Sequence, residues 1–356
     1  YGAEIIINKV KSEGTNQNIS TLENAKGATR YPDALWSSYA LYVSDKINFS
    51  EKIQLQAGFR YNHFILNAVF DTTFYPIPFT EAKISNGAAT GSIGFLYKPT
   101  NKWAIGINAA TAFRAPNVDD AGKVFDSEPG AVVVPNVDLK AEYAYNVDVN
   151  LVKIFANRLK VDFSAYYTHL TNALVRRNFQ LNGQDSILYD GELSQVQAIQ
   201  NAAKAKVYGI QAGIELKIYK GLSLQSQINW QKGDEEQNDG SISASRHAAP
   251  LFGQTKFMYK NKALLLAMSI IYNGERTYED LPIGEQAKSY LYAKDENNNP
   301  YSPRWYTLNF VGQYRFEKGI SINLGIENLT DRRYRPYSSG LAGAGRNIVM
   351  SIRADF

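Results

Sequence analysis

Histidine, tyrosine and arginine are the residues through which this chain could hold a ligand. It has 3 His and no Cys in 356 residues, which removes thiolate metal sites, disulfide scaffolds and cysteine nucleophiles together. His63, His169 and His247 are the only imidazoles, and an imidazole can supply an axial nitrogen to haem iron. Tyrosine is abundant, at 24 residues. Tyr75, Tyr278, Tyr290, Tyr292, Tyr301, Tyr334 and Tyr337 fall in or beside irregular segments, where a phenol can stack on a flat ligand or hydrogen-bond an iron chelate. Arg332, Arg333 and Arg335 crowd one short stretch and suit an anion such as a ferric chelate or a haem propionate; a solvated basic loop is the simpler account. Two carboxylate groups, Asp119, Asp120, Asp126 and Glu128, then Asp234, Glu235, Glu236 and Asp239, carry the oxygens that Ca²⁺ prefers, although a solvated loop explains them more simply. A nucleophile and base do not meet locally: Ser164 and His169 sit at opposite parity on one strand, so no enzyme is expected.

The elements that must position these residues repeat every second position. Ile348, Met350, Ile352, Ala354 and Phe356 share one face, opposite Asn347, Ser351, Arg353 and Asp355. Ile53, Leu55, Ala57, Phe59 and Tyr61 repeat the scheme, as do Leu159, Val161, Phe163, Ala165 and Tyr167. His63 and His169 continue the dry faces of their strands, which places them at a rim. Counting such runs predicts about 14 strands, near 1–10, 36–48, 52–66, 87–98, 102–113, 140–155, 158–170, 205–218, 221–232, 252–260, 262–274, 304–316, 319–329 and 345–356. No apolar run reaches the ~18 residues of a membrane helix. With 24 Tyr, 17 Phe and 26 Gly at a mean hydropathy of -0.33, the chain is aromatic yet polar on average. That is what strands with one lipid face and one wet face require. A net charge of +4 spread along the chain gives no support to nucleic-acid binding.

The connections alternate between tight turns and long excursions. Residues 49–51, 99–101, 156–157, 219–220, 261 and 317–318 are short, while the connections between them run to roughly 15 to 35 residues, beyond ordinary loop lengths. Outer-membrane barrels keep short periplasmic turns and long extracellular loops, and a soluble sandwich has no reason to do so. The expectation is therefore an all-β, transmembrane antiparallel barrel in a bacterial outer membrane. The last connection, 330–344, is extracellular, so the final strand descends to end at Phe356 in the periplasm. A terminal aromatic of that kind resembles the signal read by the barrel-assembly machinery.

Two loops carry a family resemblance. The first opens with Phe113-Arg114-Ala115-Pro116-Asn117-Val118-Asp119-Asp120 and closes with Pro135-Asn136-Val137-Asp138-Leu139-Lys140-Ala141-Glu142. It resembles the FRAP and NPDLKPE boxes of TonB-dependent receptors, with Val137 and Ala141 standing where the second box has proline. The second reads Glu327-Asn328-Leu329-Thr330-Asp331, then Arg333-Tyr334-Arg335, Ser339-Gly340 and Gly345-Arg346-Asn347. It is similar to the ENLTD, YR, SG and PGRN closing segment of the haem, haemoglobin and siderophore branch, with Ala344 in place of proline. Polarity places both loops on the extracellular side, as the resemblance requires.

What the resemblance implies is a barrel of about 22 strands, of which about 14 are present. Residues 1–356 would then be its carboxy-terminal part, with an amino-terminal plug and TonB box outside this chain. Ligand would bind the outer loops and pass inward when the TonB complex pulls the plug. Arg114 would anchor its loop to the barrel wall. No cofactor is implied; haem or a ferric chelate would be cargo. In haem receptors a histidine often lies between the two boxes, whereas 117–134 holds no His, Tyr, Met or Cys. Outer-membrane lipid and a surface lipoprotein are further partners of such a receptor. Cobalamin, a peptide or a glycan is the alternative cargo, and a complete porin of about 14 strands is the alternative architecture.

Overall fold

The computed structural model describes the chain except residues 75–79, 129, 238–239, 247, 317–318 and 355–356, and except the side chains of 125–128 and 202–203. Tyr75, His247, Asp239 and Phe356 thus lie outside the described residues, as do the side chains of Asp126 and Glu128.

Registers link a meander of long antiparallel strands. The first seven are β1 (Gly2–Val10), β2 (Asp33–Asn48), β3 (Ile53–Val69), β4 (Glu81–Tyr97), β5 (Trp103–Arg114), β6 (Glu142–Phe155) and β7 (Leu159–Asn178). The rest are β8 (Glu192–Tyr219), β9 (Leu222–Glu236), β10 (Phe252–Lys260), β11 (Leu264–Asn273), β12 (Trp305–Arg315), β13 (Ile320–Glu327) and β14 (Asn347–Ala354). Parity sorts the two faces. On β3, Asn62, Phe64, Leu66 and Ala68 are buried beneath the outer loops, while Phe59, Tyr61 and Val69 on the other face are exposed. The exposed face continues through Ile210, Ile214, Trp230, Phe257, Ile348, Met350 and Ile352, an apolar band of the kind that meets lipid. Two polar residues on it, Ser226 and Thr255, satisfy each other at 2.8 Å, as a membrane-facing hydroxyl must.

The strands run further outward than the period-two pattern predicts. β8 begins at Glu192 rather than near 205 and has 28 residues, although a membrane crossing needs only ~9–11. Its upper part forms a hairpin with Ser186–Tyr189, closed at Asp190 and Gly191, whose φ of 47° and 85° suit a tight two-residue turn. These extensions mix polar residues with a few apolar ones, Val196 and Ala198 on one face and Leu193 on the other, without the long apolar stripe of a membrane strand; cross-strand pairing outside the membrane makes them strand. At the opposite end the turn at Ala156 and Asn157 has the same left-handed geometry, with φ of 47° and 55°. An epitope inserted after Gly191 should therefore be bound by antibody on intact cells, and one inserted after Asn157 only after the outer membrane is permeabilised. Labelling of the second site on intact cells would invert the assigned orientation.

The loop between β5 and β6 folds inward. Asn117 caps the short helix Val118–Ala121 through a reciprocal pair of bonds with Asp120, at 3.0 and 3.1 Å. Val118, Ala121 and Leu139 then pack on Phe64, Leu66, Ala68 and Ile84 of the inner wall. A second core, Val124, Val132, Val134, Leu181, Ile187, Val196 and Ala198, forms above it, where Ala131–Val133 runs parallel to the top of β8.

Candidate ligand-binding site

The family-box loop is held at both ends. Arg114 Nη2 donates to Asp120 Oδ1 at 2.5 Å and lies 4.0 Å from Glu142, tying the helix to the top of the barrel wall. The carbonyl of Pro116 accepts from Trp36 Nε1 at 3.2 Å. Asn136 Nδ2 donates to the carbonyl of Ile199 at 2.7 Å and its Oδ1 accepts from Asp138 N at 3.1 Å, while Leu139 is buried. Phe113 stacks on Phe64, with centroids 6.3 Å apart, and Ala115 packs against the same core. These contacts position the loop.

The closing motif organises a different region. Asn328 is buried at φ 46°, donates to the carbonyls of Arg332 and Ala344 at 2.8 and 3.1 Å, and accepts from Arg332 N at 2.9 Å. Asp331 Oδ1 accepts from Arg346 N at 2.7 Å, so the two ends of the loop are drawn together. Between this loop (328–346) and the loop 274–304 lies a cavity of about 300 Å³ whose walls include Tyr292, Tyr301, Trp305, Tyr334, Arg333 and Arg335. Trp305, on the inner face at the top of β12, lies against Tyr334 with centroids 4.4 Å apart. Arg335 donates to the carbonyl of Leu291 and so braces the wall. Arg332 also borders the cavity, but its guanidinium covers Tyr306, 5.3 Å from the ring centroid, on the outer face. Arg333 is exposed at the mouth.

A buried carboxylate fastens the neighbouring loops. Glu285 is 1% exposed. It pairs with Arg246 Nε at 2.6 Å, approaches Lys288 at 3.9 Å and accepts the Tyr292 hydroxyl at 2.5 Å. Arg276 donates to the carbonyl of Ala248 and lies over the ring of Tyr337, 5.4 Å from its centroid. Ile283 N donates to Ser243 Oγ at 3.1 Å. The loops 237–251, 274–304 and 328–346 are thereby one unit. Burial pushes the Tyr292 phenol well above its usual range, and its bond to Glu285 adds to that. Burial also raises Tyr337, against the opposing pull of Arg276. Both are neutral at ordinary pH, Tyr292 as the donor to Glu285, and neither is a phenolate ligand. Because the folded protein holds the proton more tightly than an unfolded chain, Tyr292 adds stability that is constant through neutral pH. It is lost only as pH rises above the unfolded phenol value of about 10. In an alkaline titration the phenolate absorbance lost in Tyr292→Phe should belong to the last-ionising tyrosines; loss from the earliest phase would contradict the buried bond.

The other candidates do not join this site. His63 bonds Ser85 at 3.2 Å and, like His169, sits at the outward parity of its strand, so neither ring reaches the lumen. Sequence types admitted them as ligands; strand geometry removes them. Tyr290 is 76% exposed, and Tyr278 lies outside the cavity walls, its carbonyl held by Gln286. The carboxylate groups disperse: Asp119 is held by Lys123 and Tyr31, Asp120 by Arg114, and Asp234 lies 3.5 Å from Lys206. No group of three or more metal-ligating side chains occurs among the described residues. Sequence reasoning missed Trp305, Arg246, Arg276 and Glu285. Nothing in the local sequence separates Glu285 from Glu275 or Glu279; only its burial does.

Residues 9–329 match the family model described as TonB dependent receptor-like, beta-barrel. Heme/hemopexin utilization protein C of Haemophilus influenzae is 23% identical over 369 aligned positions, covering 100% of this chain and 48% of that protein. The copper transporter OprC superposes with a TM-score of 0.76 at 12% identity, over 98% of this chain and 52% of the transporter. The siderophore receptor PiuA from Acinetobacter baumannii superposes at 0.64 and 18% identity, over 92% of this chain and 44% of the receptor. The chain spans about half the length of the relatives it matches.

Proposed function

Because this chain belongs to the TonB-dependent receptor-like β-barrel family, we propose that it forms the ligand-receiving wall of an outer-membrane active-transport receptor whose cargo is an anionic ferric chelate. The observation that carries this reading is the cavity between the last two outer loops. Its aromatic walls are Tyr292, Tyr301, Trp305 and Tyr334, and cationic Arg333 stands at its mouth. Neutral phenols and a guanidinium recognise the oxygens and charge of a chelate without displacing its ligands. Energy would reach the barrel from the TonB complex through an amino-terminal plug.

Haem is the second reading, favoured by the haem-utilising relative that aligns with the whole chain. Its axial ligand would come from His247, a loop tyrosine other than Tyr292 and Tyr337, which are held neutral, or a residue outside this chain, since His63 and His169 face outward. The test is binding of a ferric tris-catecholate and of haem to cells carrying the full receptor, before and after Arg333→Glu. A charge-assisted contact contributes about 1.5–3 kcal/mol, so reversal should weaken chelate binding by about 10- to 100-fold. His247→Ala should leave chelate binding unchanged and abolish haem binding only if haem is ligated there. Binding of neither ligand by the unaltered receptor would move the cargo to cobalamin, a peptide or a glycan.

A further inference from the structure

Near the periplasmic rim one lysine faces lipid. On β6 the polar residues Asn146, Asp148 and Asn150 bond one another on the inner face, while Tyr145, Val147, Val149 and Phe155 are exposed on the outer face. Lys153 has the outer parity. Register sets it between Trp103 of β5 and Val161 of β7, and Leu151 and Phe155 flank it along its own strand. The strands on either side of the β5 and β6 pair, β4 and β7, belong to this chain, so no strand from elsewhere borders this part of the outer wall. The Lys153 ammonium lies 3.9 Å from the ring centroid of Trp103 and 5.5 Å from that of Phe155. Ring faces attract a cation but offer it no oxygen acceptor. Among the described residues no carboxylate pairs with it: Asp162, opposite Val152, has the inner parity and lies 3.6 Å from Lys160. The same register row runs on through Val161 and Ile214 to Ser226 and Thr255, which satisfy each other at 2.8 Å. Lys153 has no such partner in the row.

We propose that Lys153, framed by Trp103 and Phe155, holds the phosphate of an anionic phospholipid in the periplasmic leaflet. A charge set against an apolar wall is costly unless an opposite charge meets it. Phe155 closes its strand, and Lys153 lies two residues, about 7 Å, inside that end. A lysine at that depth reaches the headgroup level by extending along the wall, and the two rings hold its ammonium there. The exposed turn residues Lys98, Lys102 and Arg158 keep the adjoining rim positive, so the local field favours anionic over zwitterionic lipid. The acyl chains would run up the outer face along Leu151, Val149 and Ile107. This site lies on the lipid side of the wall and does not depend on the nature of the cargo.

The test uses the purified full receptor in phosphatidylcholine liposomes that contain either phosphatidylglycerol or phosphatidylcholine brominated on its acyl chains, at equal mole fraction. Bromine quenches indole fluorescence on contact, and the Trp103 signal is the difference between each receptor and its Trp103→Phe counterpart. Brominated phosphatidylglycerol should occupy the site about fivefold more readily than brominated phosphatidylcholine, the preference that one lysine confers near anionic lipid. Lys153→Gln should abolish the preference and Lys153→Arg should keep it, with the heat-modifiable band showing that each variant is folded. Equal quenching by the two lipids overturns the proposal, and so does a preference that survives Lys153→Gln. A Trp103 signal quenched by neither lipid also overturns it, because the ring then does not face the bilayer. Loss of the preference on adding free glycerol phosphate, beyond the effect of sodium chloride at the same ionic strength, would assign the site to a soluble anion and reject the lipid.

Discussion

Glu285→Ala loosens three outer loops at once. The carboxylate is 1% exposed and is the shared partner of Arg246, Lys288 and the Tyr292 hydroxyl. Removing one member of a fully buried pair costs about 3–5 kcal/mol. Arg246 is 44% exposed, so water compensates part of its loss, and about 2 kcal/mol is the expected net cost. That corresponds to a roughly 30-fold rise in the population of open loops. Cleavage in 237–251 and 274–304 by a low concentration of protease should rise by the same factor, since cleavage follows the open population when reclosing is fast. Chelate affinity should fall with it, because Tyr292 lines the cavity that the loops close. Glu285→Gln keeps an acceptor for Tyr292 and should show a smaller effect. Cleavage rates unchanged in Glu285→Ala would show that the loops are not fastened through this residue.

Phe64→Ala should be the most destabilising single truncation of the inner wall. Phe64 is 0% exposed, stacks on Phe113 and is the most completely buried aromatic of the core under the first family box. Truncating a buried Phe costs about 3–5 kcal/mol, from lost transfer energy and from the cavity left behind. The urea midpoint of the barrel in liposomes should fall accordingly. By contrast, Arg114→Ala removes an ion pair whose cation is 47% exposed, and screening limits its cost to about 1 kcal/mol. A midpoint less affected by Phe64→Ala than by Arg114→Ala would mean that the loop is held by its ion pair and not by its core.

Much of this architecture is legible in the sequence because it depends on local chemistry. Alternation along Ile320–Glu327 and Asn347–Ala354 predicts strands at those positions, and the structure pairs them residue by residue. The ends are less legible. Residues 192–204 carry no continuous lipid-facing stripe, yet they extend β8 because they pair with Ser186–Tyr189 and with the top of β7 and bury Val196 and Ala198 in the second core. The site is partly legible: the density of Tyr and Arg in the last two loops marks the region, and Tyr292, Tyr301, Tyr334, Arg333 and Arg335 do converge there.

By itself the sequence determined the all-β class, the alternation of short and long connections and the two family boxes. Each follows from side-chain parity or from turn residues within a few positions of one another. Parity along the strands also puts His63 and His169 on the dry, outward face, whereas only the tertiary structure decided that Glu285 fastens three loops and that Trp305 and Tyr334 meet across the outer cavity. Those outcomes depend on partners far apart in the chain, as in the bonds from Trp36 to Pro116 and from Asn136 to Ile199, 80 and 63 positions apart. No local pattern encodes such a pair, because its energy arises only when folding of the sheet brings the two segments together and removes water from between them.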